Sequence, residues 1–254
     1  MAVEMRGVRL GEGRTKVIVP VTGATVPELV AQVRALAAEE LDIIEWRVDY
    51  LDVALDPAQV VAAAGQVREQ AGDRPVLLTF RTHHEGGQQP VTSQQYVDLN
   101  LAVVGSGLVD AVDVEHRFDR QAGDQVIAAA RAAGVPVVGS VHDFTATPPA
   151  DELVAYLTGM QERGCAVAKA AVMPQTPGDV LTLMSATWTM TSEHPATPVL
   201  TMAMGGLGLL TRLSAQLTGS CATFAMVGRA SAPGQIPVGE LRPVLDLIAR
   251  NLPQ

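Results

Sequence analysis

The sequence predicts an α/β fold, a (β/α)8 TIM barrel, with a short N-terminal β-hairpin closing the bottom. Three observations predict it. Apolar runs of strand length alternate with stretches of helical period, repeating roughly every 30 residues, and eight such units can be counted. No G-x-G-x-x-G turn follows the first strand, where a doubly wound nucleotide-binding sheet usually carries one. No Pro/Gly/Ser-rich linker, charge block or low-complexity tract interrupts the array, so residues 1–254 read as one barrel domain.

Residues 1–15 read as a short extended pair around Gly11-Glu-Gly13, and the strands are expected over 16–21, 42–48, 76–81, 109–115, 136–141, 166–172, 199–204 and 222–227. The helices between them are announced by local chemistry. Thr25-Val-Pro-Glu28 supplies a capping hydroxyl, a first-turn proline and an early acid before Leu29, Val33 and Leu36 recur on one face. Asp56-Pro57 repeats the device for the second helix, Thr92 opens the third and Asp119 the fourth. Thr147-Pro-Pro-Ala-Asp-Glu is expected to open the fifth, Thr176-Pro-Gly-Asp the sixth and Thr211-Arg-Leu the seventh. Gly72, Gly134, Gly164 and Gly219 suit left-handed helix stops.

Composition narrows the function classes. With 48% apolar residues, a mean hydropathy of +0.21 and no near-continuous apolar run of membrane-spanning length, the chain reads as folded and soluble. A net charge of −9 argues against a broad nucleic-acid surface, which needs clustered bases to displace counterions. Two cysteines, Cys165 and Cys221, are too few for a disulfide framework, and the N-terminus shows no secretory apolar region, so a cytoplasmic setting is expected. The 18 basic residues are 16 arginines and only two lysines, Lys16 and Lys169. Arginine stays charged and cannot serve as an amine nucleophile, so a lysine set in an apolar strand stands out.

In a closed barrel, inward positions near the C-terminal ends of the strands converge on one face. This chain places ionisable groups there repeatedly: Glu45, Arg47 and Asp49 at period two, with Trp46 and Val48 opposite; Arg81 before Thr82-His-His-Glu85; Asp113 and Glu115; His142; Lys169. Buried charges cost several kcal/mol each unless paired. One such group is often structural, whereas a set of at least six recurring at successive strand ends points to a substrate site. Lys169 lies in Ala-Val-Ala-Lys-Ala-Ala-Val with no polar neighbour in sequence. Desolvation and cations such as Arg47 or Arg81 disfavour its ammonium form, and a free amine attacks a carbonyl to give a protonated imine that acidifies the adjacent C–H. His142, directly after a strand, is the natural proton acceptor because imidazole titrates near neutrality. Arg212, with Ser231-Ala-Pro-Gly-Gln235, suits an acid-bearing substrate. A metal held by His83, His84, Glu85, Asp113, Glu115 and His142 is disfavoured, since no H-x-H follows the first strand and the arginines repel a cation.

Taken in order, Glu45-Trp-Arg-Val-Asp49, Thr79-Phe-Arg-Thr-His-His-Glu-Gly-Gly87, Val141-His-Asp-Phe144, Lys169-Ala-Ala-Val-Met-Pro-Gln-Thr176, Asp179-Val-Leu-Thr182 and Ser231-Ala-Pro-Gly-Gln235 resemble type I 3-dehydroquinate dehydratase over nearly the whole chain. The resemblance implies a hydro-lyase that converts 3-dehydroquinate to 3-dehydroshikimate in the shikimate pathway toward chorismate and aromatic amino acids, with no metal or cofactor and commonly as a homodimer. It implies that Lys169 forms the imine, that His142 moves the protons and that Glu85 orients or tunes His142. It further implies that Glu45, Arg47 and Arg81 hold substrate hydroxyls, while Arg212, Ser231 and Gln235 hold the carboxylate. The chain departs from some members at Pro20 and at Gly205-Gly-Leu-Gly208. Two rivals remain at this stage: a class I aldolase, which also uses an imine lysine in a barrel, and a non-catalytic metabolite-binding barrel.

Overall fold

In the computed structural model, which describes residues 2–252, eight parallel strands form one sheet. They are β3 (Lys16–Val21), β4 (Ile43–Arg47), β5 (Val76–Thr79), β6 (Ala111–Glu115), β7 (Val137–Asp143), β8 (Val167–Val172), β9 (Val199–Ala203) and β10 (Ala222–Phe224). The order β10-β3-β4-β5-β6-β7-β8-β9 brings first and last strands around a ring. The β9–β10 seam is bridged by the Cys221 N–H donating to the Val199 carbonyl at 2.8 Å and the Thr201 N–H donating to Ser220 Oγ at 3.0 Å. The expected TIM barrel is thus the observed architecture.

Helices α1 (Val26–Ala35), α2 (Pro57–Ala71), α3 (Ser93–Ser106), α4 (Arg120–Ala132), α5 (Ala150–Glu162), α6 (Pro177–Glu193), α7 (Leu209–Leu213), α8 (Ala215–Thr218) and α9 (Val238–Asn251) are interleaved with the strands. Thr25, Thr92 and Thr176 each close a reciprocal capping box, with Glu28, Gln95 and Asp179, and Asp56 and Asp119 accept first-turn N–H groups. Two openings differ from expectation. Thr147 does not cap α5: Pro149 occupies the cap position and offers no side-chain acceptor, leaving Asp151 and Glu152 to complement the helix dipole. The seventh helix opens at Leu209 and breaks at Ser214, which separates α7 from α8.

The N-terminal pair, β1 (Val3–Met5) and β2 (Val8–Leu10), is antiparallel with Val3 opposite Leu10. Its turn is at Arg6-Gly7, both at positive φ (41° and 79°), and not at Gly11-Glu-Gly13, which forms the exit from the hairpin. A two-residue turn with positive φ at both positions matches the twist of the flanking strands. Met5 and Leu10 pack in one cluster with Ile18, Ile43, Leu77, Ala111, Val138, Val167, Leu200 and Ala222, so the hairpin covers the N-terminal mouth of the barrel. The alternate residues Ile44, Trp46, Leu78, Val112, Val141 and Ala170 belong to a separate cluster with the helices. Along each strand, therefore, every second residue enters the barrel.

Two of the strand ends that shift bear on chemistry. Phe80 and Arg81 leave the ladder of β5, because the Arg81 N–H is taken by Asp49 Oδ1 at 3.2 Å. On the other side β7 continues past 141, pairing His142 with Ala171 and Asp143 with Val172 of β8. His142 is therefore part of a strand and shares its rigidity.

Candidate active site

Following the inward positions from N- to C-terminal end gives Ile43-Glu45-Arg47 on β4, Ala111-Asp113-Glu115 on β6, Val138-Ser140-His142 on β7 and Val167-Lys169-Ala171 on β8. Each series starts apolar and turns polar at its second position, and only on β8 does the third, Ala171, return to apolar. The polar ends open on a cavity of about 170 Å³ lined by all nine singled-out residues: Lys169, His142, Glu85, Glu45, Arg47, Arg81, Arg212, Ser231 and Gln235. Tyr50, Phe144, Met202, Met204 and Phe224 add apolar walls, for which the sequence offered no signal beyond their position near strand ends.

Lys169 is buried, at 3% exposure, with its Nζ 3.4 Å from Glu45 Oε1, 3.5 Å from Asp113 Oδ2 and 4.6 Å from the Phe224 ring centroid. These neighbours come from β4, β6 and β10, and Lys169 from β8: alternate strands meet at one level, as barrel layers do. The expected cationic surroundings are corrected here. The charged groups touching the nitrogen are carboxylates, because strand register places Asp113 between Lys169 and Arg81. Asp113 Oδ1 accepts from Arg81 Nη2 at 2.9 Å and from Ser140 Oγ at 2.7 Å while Oδ2 faces the lysine. Burial opposes ionisation of Asp113, but Arg81 and Lys169 outweigh it and hold the carboxyl below its ordinary range.

Arg81 also donates to Glu115 Oε1 at 2.9 Å and Ser140 Oγ at 3.0 Å. Arg47 is forked on Asp49, both bonds 2.7 Å, and stacks over Tyr50 with 5.0 Å to the ring centroid. Asp49 thus sits behind the cavity as an anchor, accepting in addition from the backbone N–H groups of Arg81 and Gln88.

Glu85 ends a 3-10 turn, His83–Glu85, whose leading Thr82 is tied to Glu115 through its N–H at 2.8 Å and its hydroxyl at 2.6 Å. Gly86 follows at φ 83°, and a Cβ there would lie 2.5 Å from the Phe144 ring, so only glycine lets the turn close over the cavity. Glu85 Oε2 accepts the His142 backbone N–H at 3.0 Å and lies 2.9 Å from His142 Nδ1. Burial pushes the Glu85 carboxyl up to about 8 against the pull of Arg81. Burial, reinforced by Arg81 and Lys169, pushes His142 well below its ordinary value, so its imidazole is neutral at pH 7.

Arg212 is 1% exposed and, among the described residues, has no carboxylate partner. Its Nη1 and Nη2 reach only the carbonyls of Phe224 at 3.5 Å and Pro233 at 3.2 Å, and its Nε has no partner. Burial brings its pKa down to about 10, still cationic at neutral pH. Ser231 and Gln235 close on each other above it, the Ser231 N–H donating to Gln235 Oε1 at 2.8 Å. A buried, unpaired guanidinium facing a cavity is a receptor for an anion.

With this geometry established, similarity to known proteins is extensive. The family described as type I 3-dehydroquinase matches residues 17–251. The 3-dehydroquinate dehydratase of Lactiplantibacillus plantarum is 43% identical over 250 residues, 98% of this chain and 99% of that protein. The enzyme of the same name from Salmonella typhimurium is 43% identical over 246 residues, 97% of this chain and 98% of that one. The crystal structure of type I 3-dehydroquinate dehydratase from Clostridium difficile superimposes with a TM-score of 0.96 at 37% identity, covering 99% of each chain.

Proposed function

The chain belongs to the type I 3-dehydroquinase family, and we propose that its dehydration of 3-dehydroquinate runs through an imine on Lys169. Nζ attacks the substrate ketone and one water leaves as the protonated imine forms. The imine draws electrons from the adjacent carbon, and His142 removes its proton through Nε2 in the form of the pair in which Glu85 is ionised and accepts from Nδ1. The resulting enamine expels the β-hydroxyl, which takes the proton His142 has just gained and departs as a second water. Hydrolysis of the imine consumes one water and restores Lys169, for a net loss of one.

Glu45 and Asp113 hold Nζ in place before substrate arrives. Arg212 takes the substrate carboxylate, and Ser231 and Gln235 close over it. Glu45, Arg47 and Arg81 face the ring hydroxyls. The observation that carries the reading is a primary amine, buried in one small cavity with a neutral imidazole and an unpaired guanidinium. Borohydride reduction in the presence of 3-dehydroquinate is expected to add substrate mass to the peptide containing Lys169. Normal turnover with Lys169 left unmodified would overturn the imine. Aldehyde release without conjugated enone absorbance would point to the aldolase chemistry instead.

The same proposal covers the chain as one catalytic domain acting as a cytoplasmic homodimer without metal or cofactor. Exposed Leu181 and Trp188, seven residues apart on α6, support the dimer, with sedimentation velocity as the check. No helix among the described residues is long and apolar enough to cross a membrane.

A further inference from the structure

Two residues beyond the end of β6, Arg117 reaches across the top of the barrel to the proton-transfer pair. Its Nη2 donates to the His142 carbonyl at 2.6 Å, its Nε lies 3.7 Å from Glu85 Oε1 and its Nη1 lies 4.0 Å from Asp143 Oδ2. Its guanidinium carbon sits 5.7 Å from the ring centroid of Tyr156 on α5, and the Tyr156 hydroxyl is in turn bonded to Glu152. One side chain therefore engages the backbone of the base and the carboxylate of its partner.

The second observation concerns Glu85 itself. Both of its hydrogen bonds to His142 use Oε2, while Oε1 is buried without a hydrogen-bond partner among the described residues. The cation facing Oε1 is Arg117, whereas Arg81 faces Oε2 at 3.6 Å and is already committed to Asp113, Glu115 and Ser140. Resting on the reading of His142 as the base, we propose that Arg117 is a positioning residue. It biases the pair toward the form with Glu85 ionised and the imidazole proton on Nδ1, in which Nε2 keeps its lone pair.

The competing arrangement has the same atoms and one more proton. Glu85 is then a neutral acid donating to Nδ1, and the imidazole proton sits on Nε2, where it blocks abstraction from substrate. Burial favours that protonated arrangement, as do the neighbouring carboxylates Glu115 and Asp113, and it is opposed by Arg81 and Arg117. Burial, with Arg81, Lys169, Arg47 and Arg117 adding to it, also keeps a second proton off the imidazole. Removing Arg117 weakens both effects, so the pair retains its blocking proton to higher pH.

The test is the pH profile of kcat/KM for Arg117→Met and Arg117→Lys. In Arg117→Met the acid limb is expected to move upward by about half a pH unit or more. On that limb such a shift is about a 3-fold loss of rate, with KM for 3-dehydroquinate unchanged. Arg117→Lys, which keeps a cation near Oε1, is expected to recover most of the shift. A limb that stays in place in a folded Arg117→Met enzyme overturns the proposal. Should that variant fail to fold, imidazole ¹⁵N resonances of Arg117→Lys and Arg117→Gln serve instead. The Nδ1–H form of His142 is expected to appear at higher pH in the glutamine variant than in the lysine variant, and equal midpoints overturn the proposal. His142→Ala separates this from the underlying reading: if it retains turnover, the base assignment itself is wrong.

Discussion

The lower and upper halves of the barrel interior are built by the same strands, two residues apart, yet they do different work. Ile43, Leu77, Ala111, Val138 and Val167 pack under Met5 and Leu10 of the hairpin as an ordinary apolar core. One inward position further along, Glu45, Thr79, Asp113, Ser140 and Lys169 form a buried polar network, and above it sit Arg47, Arg81, Glu115 and His142. The lower half stabilises through area removed from water. The upper half carries desolvation costs that are offset only by close pairing, and where pairing is withheld, as at Arg212, the unmet charge is available to a ligand. Stability and function are thus separated along the strand axis, with the hairpin and floor beneath and the chemistry at the C-terminal mouth.

Three substitutions test how sharp that division is. The largest effect belongs to the floor. Leu77→Ala is expected to cost about 2–5 kcal/mol of unfolding free energy, read by denaturant titration, because it opens a void among buried neighbours. The kcat of the folded fraction is expected to stay unchanged, and a large fall in kcat would dissolve the division. Next, Arg212→Met is expected to raise KM by about 10- to 100-fold, the equivalent of about 1.5–3 kcal/mol for hydrogen bonds to a charged group. It should not lower the unfolding free energy, since it removes a buried charge that has no acid partner.

The smallest effect is in the pH dependence of stability. Folding raises the Glu85 pKa from its ordinary value to about 8, so the folded chain holds that proton more tightly than the unfolded chain does. The stability this contributes is complete below the unfolded pKa and is lost as pH rises toward 8. Glu85→Gln, titrated with denaturant at pH 5 and pH 8, is therefore expected to lose less stability across that interval than the parent. An identical decline in both would place the titrating group elsewhere.

Much of this was legible in the residues. The caps Thr25, Asp56, Thr92, Asp119 and Thr176 declared their helices because a capping side chain acts within three residues of itself. Lys169 stood out because an ammonium in an apolar strand has no local explanation. The turn of the hairpin was misplaced because Gly7, Gly11 and Gly13 all permit positive φ, and the choice among them depends on which register buries Met5 and Leu10 against the floor. His142 was expected just past a strand, but pairing with β8 carries β7 through it. The largest correction concerned the neighbours of Lys169: arginines were expected where Glu45 and Asp113 stand, because the separation of 124 residues between Lys169 and Glu45 carries no local signal.

The sequence by itself determined which segments form strands and helices and in what order, which strand faces turn inward, and which side chains are chemically out of place in an apolar interior, because all three follow from spacing and solvation along the chain. Only the tertiary structure decided which of those side chains touch. Closure of the barrel fixes tilt and stagger, and these bring alternate strands to one level, so Lys169 meets Glu45, Asp113 and Phe224 while Arg81 is held one step away by Asp113.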